Sequence, residues 1–152
     1  MIKIITDSTC DIPQELLEKY DIAVVPSYVL WNNEQFLDRV TLSPQQFYAR
    51  IESDPVRPTT SQPTSADFSR AFAAAVEKGA REIICVTVSS AMSGTYQSAL
   101  DAAKLASVPV HAVDSRGPTM MVGWQALAAA RAVDAGKSAL EALEAVEKVR
   151  QN

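Results

Sequence analysis

The sequence predicts an α/β domain built on a parallel sheet with helices packed against it, and three observations carry that prediction. Short β-branched apolar runs recur at residues 2–5, 83–88 and 108–113, as expected of strands buried on both faces. Alanine-rich stretches with helical spacing lie between and after them, and strands alternating with helices imply right-handed crossovers. Each apolar run also ends in a polar cluster, at residues 6–9, 89–94 and 114–117. In an open parallel sheet, ligands bind outside the carboxyl ends of the strands.

The elements follow in order. After the first strand, Asp11 is expected to cap a helix carrying Pro13, Leu16, Leu17 and Tyr20. Residues 22–26 and 28–31 read as a second strand and its continuation, turned by Asn32 and Asn33 into a return strand at Phe36 and Leu37. Ser43-Pro44 opens a helix bearing Phe47, Tyr48 and Ile51. Residues 54–65 then hold three prolines and five hydroxyl side chains, a loop too short to be a domain linker. Thr64 or Ser65 caps the next helix, which runs to Lys78 and stops at Gly79. The strand at 83–88 leads through the hydroxyl-rich loop into a helix over 95–106. The fourth strand, 108–113, precedes helices over 119–135 and from 138 onward, with Gly136 between them. The last helix is still in stride at Val149-Arg150 without a cap or stop, as when a larger protein has been cut.

A chain of 152 residues reads as one domain, and a domain of that size buries roughly 70% of the surface its unfolded chain exposes. The net charge of −4 argues against nucleic acid or an anionic membrane as partner, since both need clustered Lys and Arg. The two cysteines, Cys10 and Cys85, stand in no metal or redox spacing, which fits reduced thiols in a cytosol. The opening Met1-Ile2-Lys3-Ile4-Ile5 is too short for a signal peptide and no apolar run approaches a membrane span, so a cytoplasmic protein is expected.

The polar loops suggest one site on one rim, with residues 59–64 reaching it as well. Ser and Thr hydroxyls and helix-start N–H groups are donors, so the ligand should be an anion or a strong acceptor. Neither GxGxxG nor GxxxxGK[ST] is present, and Arg57 and Arg116 are the nearest basic residues. A single negative charge met by neutral donors fits a carboxylate better than a phosphate. Ser93 as an N-cap accepts from its own helix but keeps a hydroxyl proton for a ligand. Gly94 leaves its backbone open to close approach. Ser93 also reads as a cap alone, and Thr60 and Ser61 as turn chemistry beside Pro58 and Pro63. Asp7 and Asp114 after strands fit loop ties better than acid–base work. Met120, Met121 and Trp124 fit a core or an interface.

Three stretches in order resemble the DegV family of bacterial fatty-acid-binding proteins: Thr6-Asp7-Ser8-Thr9-Cys10-Asp11-Ile12-Pro13, Pro58-Thr59-Thr60-Ser61-Gln62-Pro63, and Ser89-Ser90-Ala91-Met92-Ser93-Gly94-Thr95-Tyr96-Gln97-Ser98. Val113-Asp114-Ser115-Arg116 fits as a fourth marker. The resemblance implies a Rossmann-like N-terminal α/β domain over 1–152, followed in the family by a second domain that holds much of the acyl pocket. It implies long-chain fatty-acid binding without catalysis, metal or cofactor, with the family's carboxylate-binding Thr and Ser falling on Thr60 and Ser93. Ser61 and Gly94 flank them. Some members similar to this one present the acyl carboxylate to a separate ATP-using fatty acid kinase subunit. The alternative is a small hydrolase or phosphotransferase using Ser93 or Cys10. It needs an activating base, and the single histidine, His111, lies within a strand.

Overall fold

The structure, a computed structural model, describes residues 1–151; Asn152, the end of the predicted last helix, lies outside them. The main sheet holds β1 (Ile2–Asp7), β2 (Ala23–Val25), β6 (Glu82–Thr87) and β7 (Val110–Asp114), all parallel in the order β2-β1-β6-β7. The helices are α1 (Gln14–Lys19), α2 (Pro44–Ser53), α3 (Ser65–Glu77), α4 (Thr95–Ala103), α5 (Met120–Asp134) and α6 (Ala139–Arg150). The chain moves outward from β1 to β2, then returns to β6 and on to β7. Strand order therefore reverses between β1 and β6, and a crevice opens above their carboxyl ends.

Period-two alternation fills both faces of the sheet. Ile4, Ile84 and Val86 pack with Val122 and Leu127 of α5 and Ala142 and Val146 of α6. Ile5, Ile83 and Cys85 face the other way, onto Phe68 and Phe72 of α3 and Ala99 and Ala102 of α4. The parallel sheet with helices on both faces is as the sequence predicts. Among the described residues, no helix is long and apolar enough to cross a membrane.

A second sheet corrects two expectations. Residues 28–31 do not continue the strand at 22–26: β3 (Tyr28–Trp31) leaves the main sheet and pairs antiparallel with β4 (Glu34–Leu37) and β5 (Thr59–Ser61). The expected loop at Thr60 is thus a strand, with Thr60 opposite Val29. This small sheet and α2 carry their own core of Val29, Trp31 and Leu42, with Phe36, Phe47 and Ile51 against it. Trp31 is fully buried, donates Nε1–H to the Val56 carbonyl at 2.9 Å, and lies under the Arg50 guanidinium.

The expected caps divide. Ser43, Thr64 and Ser138 each close a reciprocal capping box, with Gln46, Asp67 and Glu141 respectively. Asp11 does not cap α1: it sits in the left-handed region at φ 51°, ending the short 3₁₀ turn Ser8–Cys10, and Pro13 stands at the helix start. The side chain that caps is Asp7, one turn earlier.

Gly123 shows how tightly α5 lies on that turn. A Cβ there would stand 2.4 Å from the Cys10 carbonyl oxygen, a backbone atom that cannot swing aside. Alanine is the better helix former by about 1 kcal/mol, yet Gly123→Ala is expected to destabilise by about 1–3 kcal/mol through overpacking. Urea unfolding measures this, and an unchanged or raised midpoint would refute it.

Candidate functional site

The rim of the sheet is tied together by two carboxylates. Asp7 is fully buried and accepts from Val88 N–H at 2.7 Å, Thr9 N–H at 2.9 Å and Thr9 Oγ1–H at 2.5 Å. Burial pushes its pKa up against these hydrogen bonds, which pull the other way. Asp114 accepts from the N–H groups of Ser90 and Arg116 and from the Ser90 hydroxyl. Burial alone would raise the Asp114 carboxyl, but those bonds and the Arg116 charge outweigh it and hold the carboxyl below its ordinary value. Both aspartates therefore tie loops, the simpler of the two expectations for them.

Above β1 and β6 lies one open cleft of about 1060 Å³. Thr60, Ser61, Ser93 and Gly94 all line it, so the two hydroxyl-rich segments meet although they are a full helix and strand apart in sequence. Residues directly opposite in an antiparallel pair share a face, which sets the Thr60 hydroxyl beside the Val29 side chain. Phe47, Tyr48, Val88, Met92 and Pro118 supply further apolar wall. The cleft thus combines neutral donors with apolar lining residues.

Ser93 is half-buried, accepts from Thr95 N–H at 3.3 Å and lies 2.9 Å from the Thr95 hydroxyl. The formal cap position is Gly94, one residue later than expected, but Ser93 does serve its own helix start. When Thr95 donates to Ser93, the Ser93 proton is available to a ligand.

The expected single rim site divides in one respect. Residues 114–117 stay outside the main cleft, and Arg116 faces a smaller one of about 450 Å³ with Tyr96, Glu147 and Arg150. Arg57 donates to the Ile51 carbonyl at 2.6 Å and does not line the cleft. The basic residue that does is Arg39, which sequence reasoning missed; its guanidinium is paired with the Asp11 carboxylate. Ser27 is further polar lining that was missed; Ser8 and Thr9 belong to the predicted rim loop at 6–9, and Gln62 lies in the predicted loop at 59–64 without having been singled out. Gln62 had a signal, since it stands inside the motif that contains Thr60.

The catalytic candidates are poorly placed. Cys10 is buried and burial pushes its thiol up, as it does more strongly for Cys85 inside β6. His111 lies early in β7 with Nε2 2.7 Å from Glu82, away from the carboxyl-end rim. Among the described residues, no group of three or more His, Cys, Asp or Glu is placed to hold a metal ion. Met120 packs on the core, while Met121 and Trp124 are exposed.

A family model described as "Uncharacterised protein, DegV family" matches residues 1–152. The chain belongs to the DegV family. It is similar to a DegV domain-containing protein of Clostridium perfringens, 42% identical over 144 residues, 94% of this chain and 51% of that protein. A fatty acid-binding protein of Thermotoga maritima is 33% identical over 99% of this chain and 53% of its own. The solved structure of a DegV family protein from Thermus thermophilus, described by its fatty acid binding, superposes with a TM-score of 0.90 at 32% identity. It covers 99% of this chain, which covers 54% of it. This DegV chain spans about half the length of the relatives it matches.

The lowered Asp114 pKa fixes a sign for pH dependence. A carboxyl depressed on folding adds stability above its unfolded value and loses it as pH falls through the folded value. Asp114→Asn is therefore expected to unfold at lower urea than the parent at pH 7, with the gap closing as the medium is acidified below the unfolded carboxylate value. A gap independent of pH would contradict the assignment.

Proposed function

We propose that this chain binds a long-chain fatty acid by its carboxylate, with Thr60 and Ser93 as donors and Ser61 and Gly94 beside them. The observation that carries the reading is the cleft, where neutral hydroxyls from β5 and the start of α4 converge beside apolar walls. Its one lining cation, Arg39, is already paired with Asp11. A phosphate would call for more positive charge than that. The fatty-acid binding named for the Thermotoga and Thermus relatives supports the same ligand class.

Energetics divide the labour within such a ligand. Burying an acyl chain gains about 0.8 kcal/mol per CH₂, so a dozen methylenes supply up to ~10 kcal/mol before the costs of binding. Hydrogen bonds to a charged group net only ~1.5–3 kcal/mol each. The tail sets affinity and the head sets orientation. The half-length match supports reading residues 1–152 as the N-terminal α/β domain of a two-domain protein, with the head-group half of the site; a cytoplasmic location goes with that reading.

The role is binding without chemistry, and presentation of the carboxylate to an ATP-using kinase subunit is the fuller form of the proposal. The exposure of Thr60 and Ser61 on the cleft supports it, because a carboxylate held there stays within reach of a second protein. Catalysis by Ser93 or Cys10 lacks a base: the Ser93 hydroxyl partners Thr95, and His111 partners Glu82. Incubation with short acyl esters is expected to release no acid, whereas turnover abolished by Ser93→Ala would replace binding with hydrolysis.

Thr60→Ala and Ser93→Ala are each expected to weaken palmitate binding roughly tenfold, the worth of one hydrogen bond to a charge. Methyl palmitate, which has the tail without the charge, should be much less affected. Calorimetric titration of both ligands tests this, and equal losses for acid and ester would remove the carboxylate role.

A further inference from the structure

The space where a side chain at Gly94 would stand is already filled. A Cβ built there would lie 2.4 Å from Oε1, 2.5 Å from Nε2 and 2.8 Å from Cδ of Gln62. The Gln62 carboxamide therefore rests directly against the first turn of α4. The backbone at Gly94 has φ −75° and ψ 5°, a region open to any residue, so conformational freedom does not explain a glycine here. Room for Gln62 does.

The carboxamide is otherwise almost uncommitted. Its one hydrogen bond, Nε2–H to Ser98 Oγ, is 3.5 Å long, beyond the usual range for N–H···O contacts. Gln62 is exposed to the cleft and directly follows β5. It stands where the Thr60 segment meets the Ser93 segment, carrying two N–H donors and no charge. That is the same kind of donor as the hydroxyls around it.

We propose that Gln62 is a third head-group donor of this cleft, determining specificity for a free carboxylate over its ester, and that Gly94 is the gap that seats it. The inference rests on the reading of the cleft as a fatty-acid site. It reassigns Gly94 from direct ligand approach to support of Gln62. Because the clashing atoms are the far end of a flexible side chain, Gly94→Ala should fold and simply displace the carboxamide.

The test has a ligand-free arm and a binding arm. In ¹⁵N spectra of the protein without ligand, the Gln62 side-chain amide, identified by its loss in Gln62→Met, is expected to shift in Gly94→Ala. An unmoved resonance overturns the seating. In titrations, Gln62→Met and Gly94→Ala should each weaken palmitate about tenfold and leave methyl palmitate unchanged, and the double variant should bind no more weakly than either single one. Additive losses overturn the proposal, as does Gly94→Ala weakening palmitate while Gln62→Met has no effect. Acid and ester losing affinity equally would also overturn it. A parent protein that binds neither ligand fails the fatty-acid reading and with it the donor role, while the spectral arm still reports on the Gln62–Gly94 contact.

Discussion

A buried carboxylate can only accept hydrogen bonds, and Asp7 takes that requirement to the one place in the sheet where strand order reverses. Its oxygens receive the Val88 N–H from the end of β6 and two donors of Thr9 from the end of β1. Each of those backbone N–H groups would otherwise be an unpaired donor at the rim, at a cost of about 1–3 kcal/mol. The floor of the cleft is thus set by the register between β1 and β6, which pair from Ile2 with Glu82 to Thr6 with Val86. The same bonds give the cleft its polarity. The Thr9 proton is directed to Asp7, so Thr9 turns lone pairs, not a donor, toward the cleft. The donors stand on the far side, on β5 and at the start of α4.

That far side belongs partly to a separately packed body. The small sheet and α2 close around Trp31, Val29 and Leu42, apart from the two cores that flank the main sheet. The join is polar: Ser27 N–H to Ser8 Oγ at 3.0 Å, Tyr28 hydroxyl to Asp67, and Arg39 to Asp11. Single hydrogen bonds of this kind net about 0.5–1.5 kcal/mol each, against the several kcal/mol held in each apolar core. Thr60 rides on the small body and Ser93 on the large one. The spacing of the two hydroxyls therefore depends on how the two bodies meet, and the Gln62 carboxamide stands at that meeting from the small-sheet side.

What could be read from the sequence follows from how local its cause was. The strands at Ile2 and Ile83 announce themselves because burial on both faces leaves nearly continuous β-branched runs, whereas the half-buried edge strand at Val110 is marked by its apolar run and the polar turn after it. The capping boxes of Ser43, Thr64 and Ser138 are four-residue patterns. β5 was not legible: Thr59, Thr60 and Ser61 are all exposed and carry no alternation, and only pairing with β3 makes them a strand. Asp11 looked like a cap because it precedes Pro13, yet Asp7 holds the turn and Asp11 reaches Arg39, 28 residues on. The resemblance to the DegV family singled out Thr60 and Ser93; the residues alone favoured a plain cap for Ser93 and left Thr60 balanced between turn chemistry and a ligand. Gln62 escaped because its partner is the absence of a side chain at Gly94.

Charge balance decides what kind of head group such a cleft suits. Arg39 is the cation in the lining and is paired with Asp11, while Asp38 adds a second carboxylate, so no uncompensated positive charge draws a head group and Thr60 and Ser93 act as neutral dipolar donors. Dipolar donors discriminate by direction: they suit a planar carboxylate that offers lone pairs to several partners, and each such bond contributes far less than the buried chain. A ligand bound that way is oriented by its head and retained by its tail. Such a division separates the two ends energetically: release of the head group breaks only a few charge-assisted hydrogen bonds while the apolar chain stays in place.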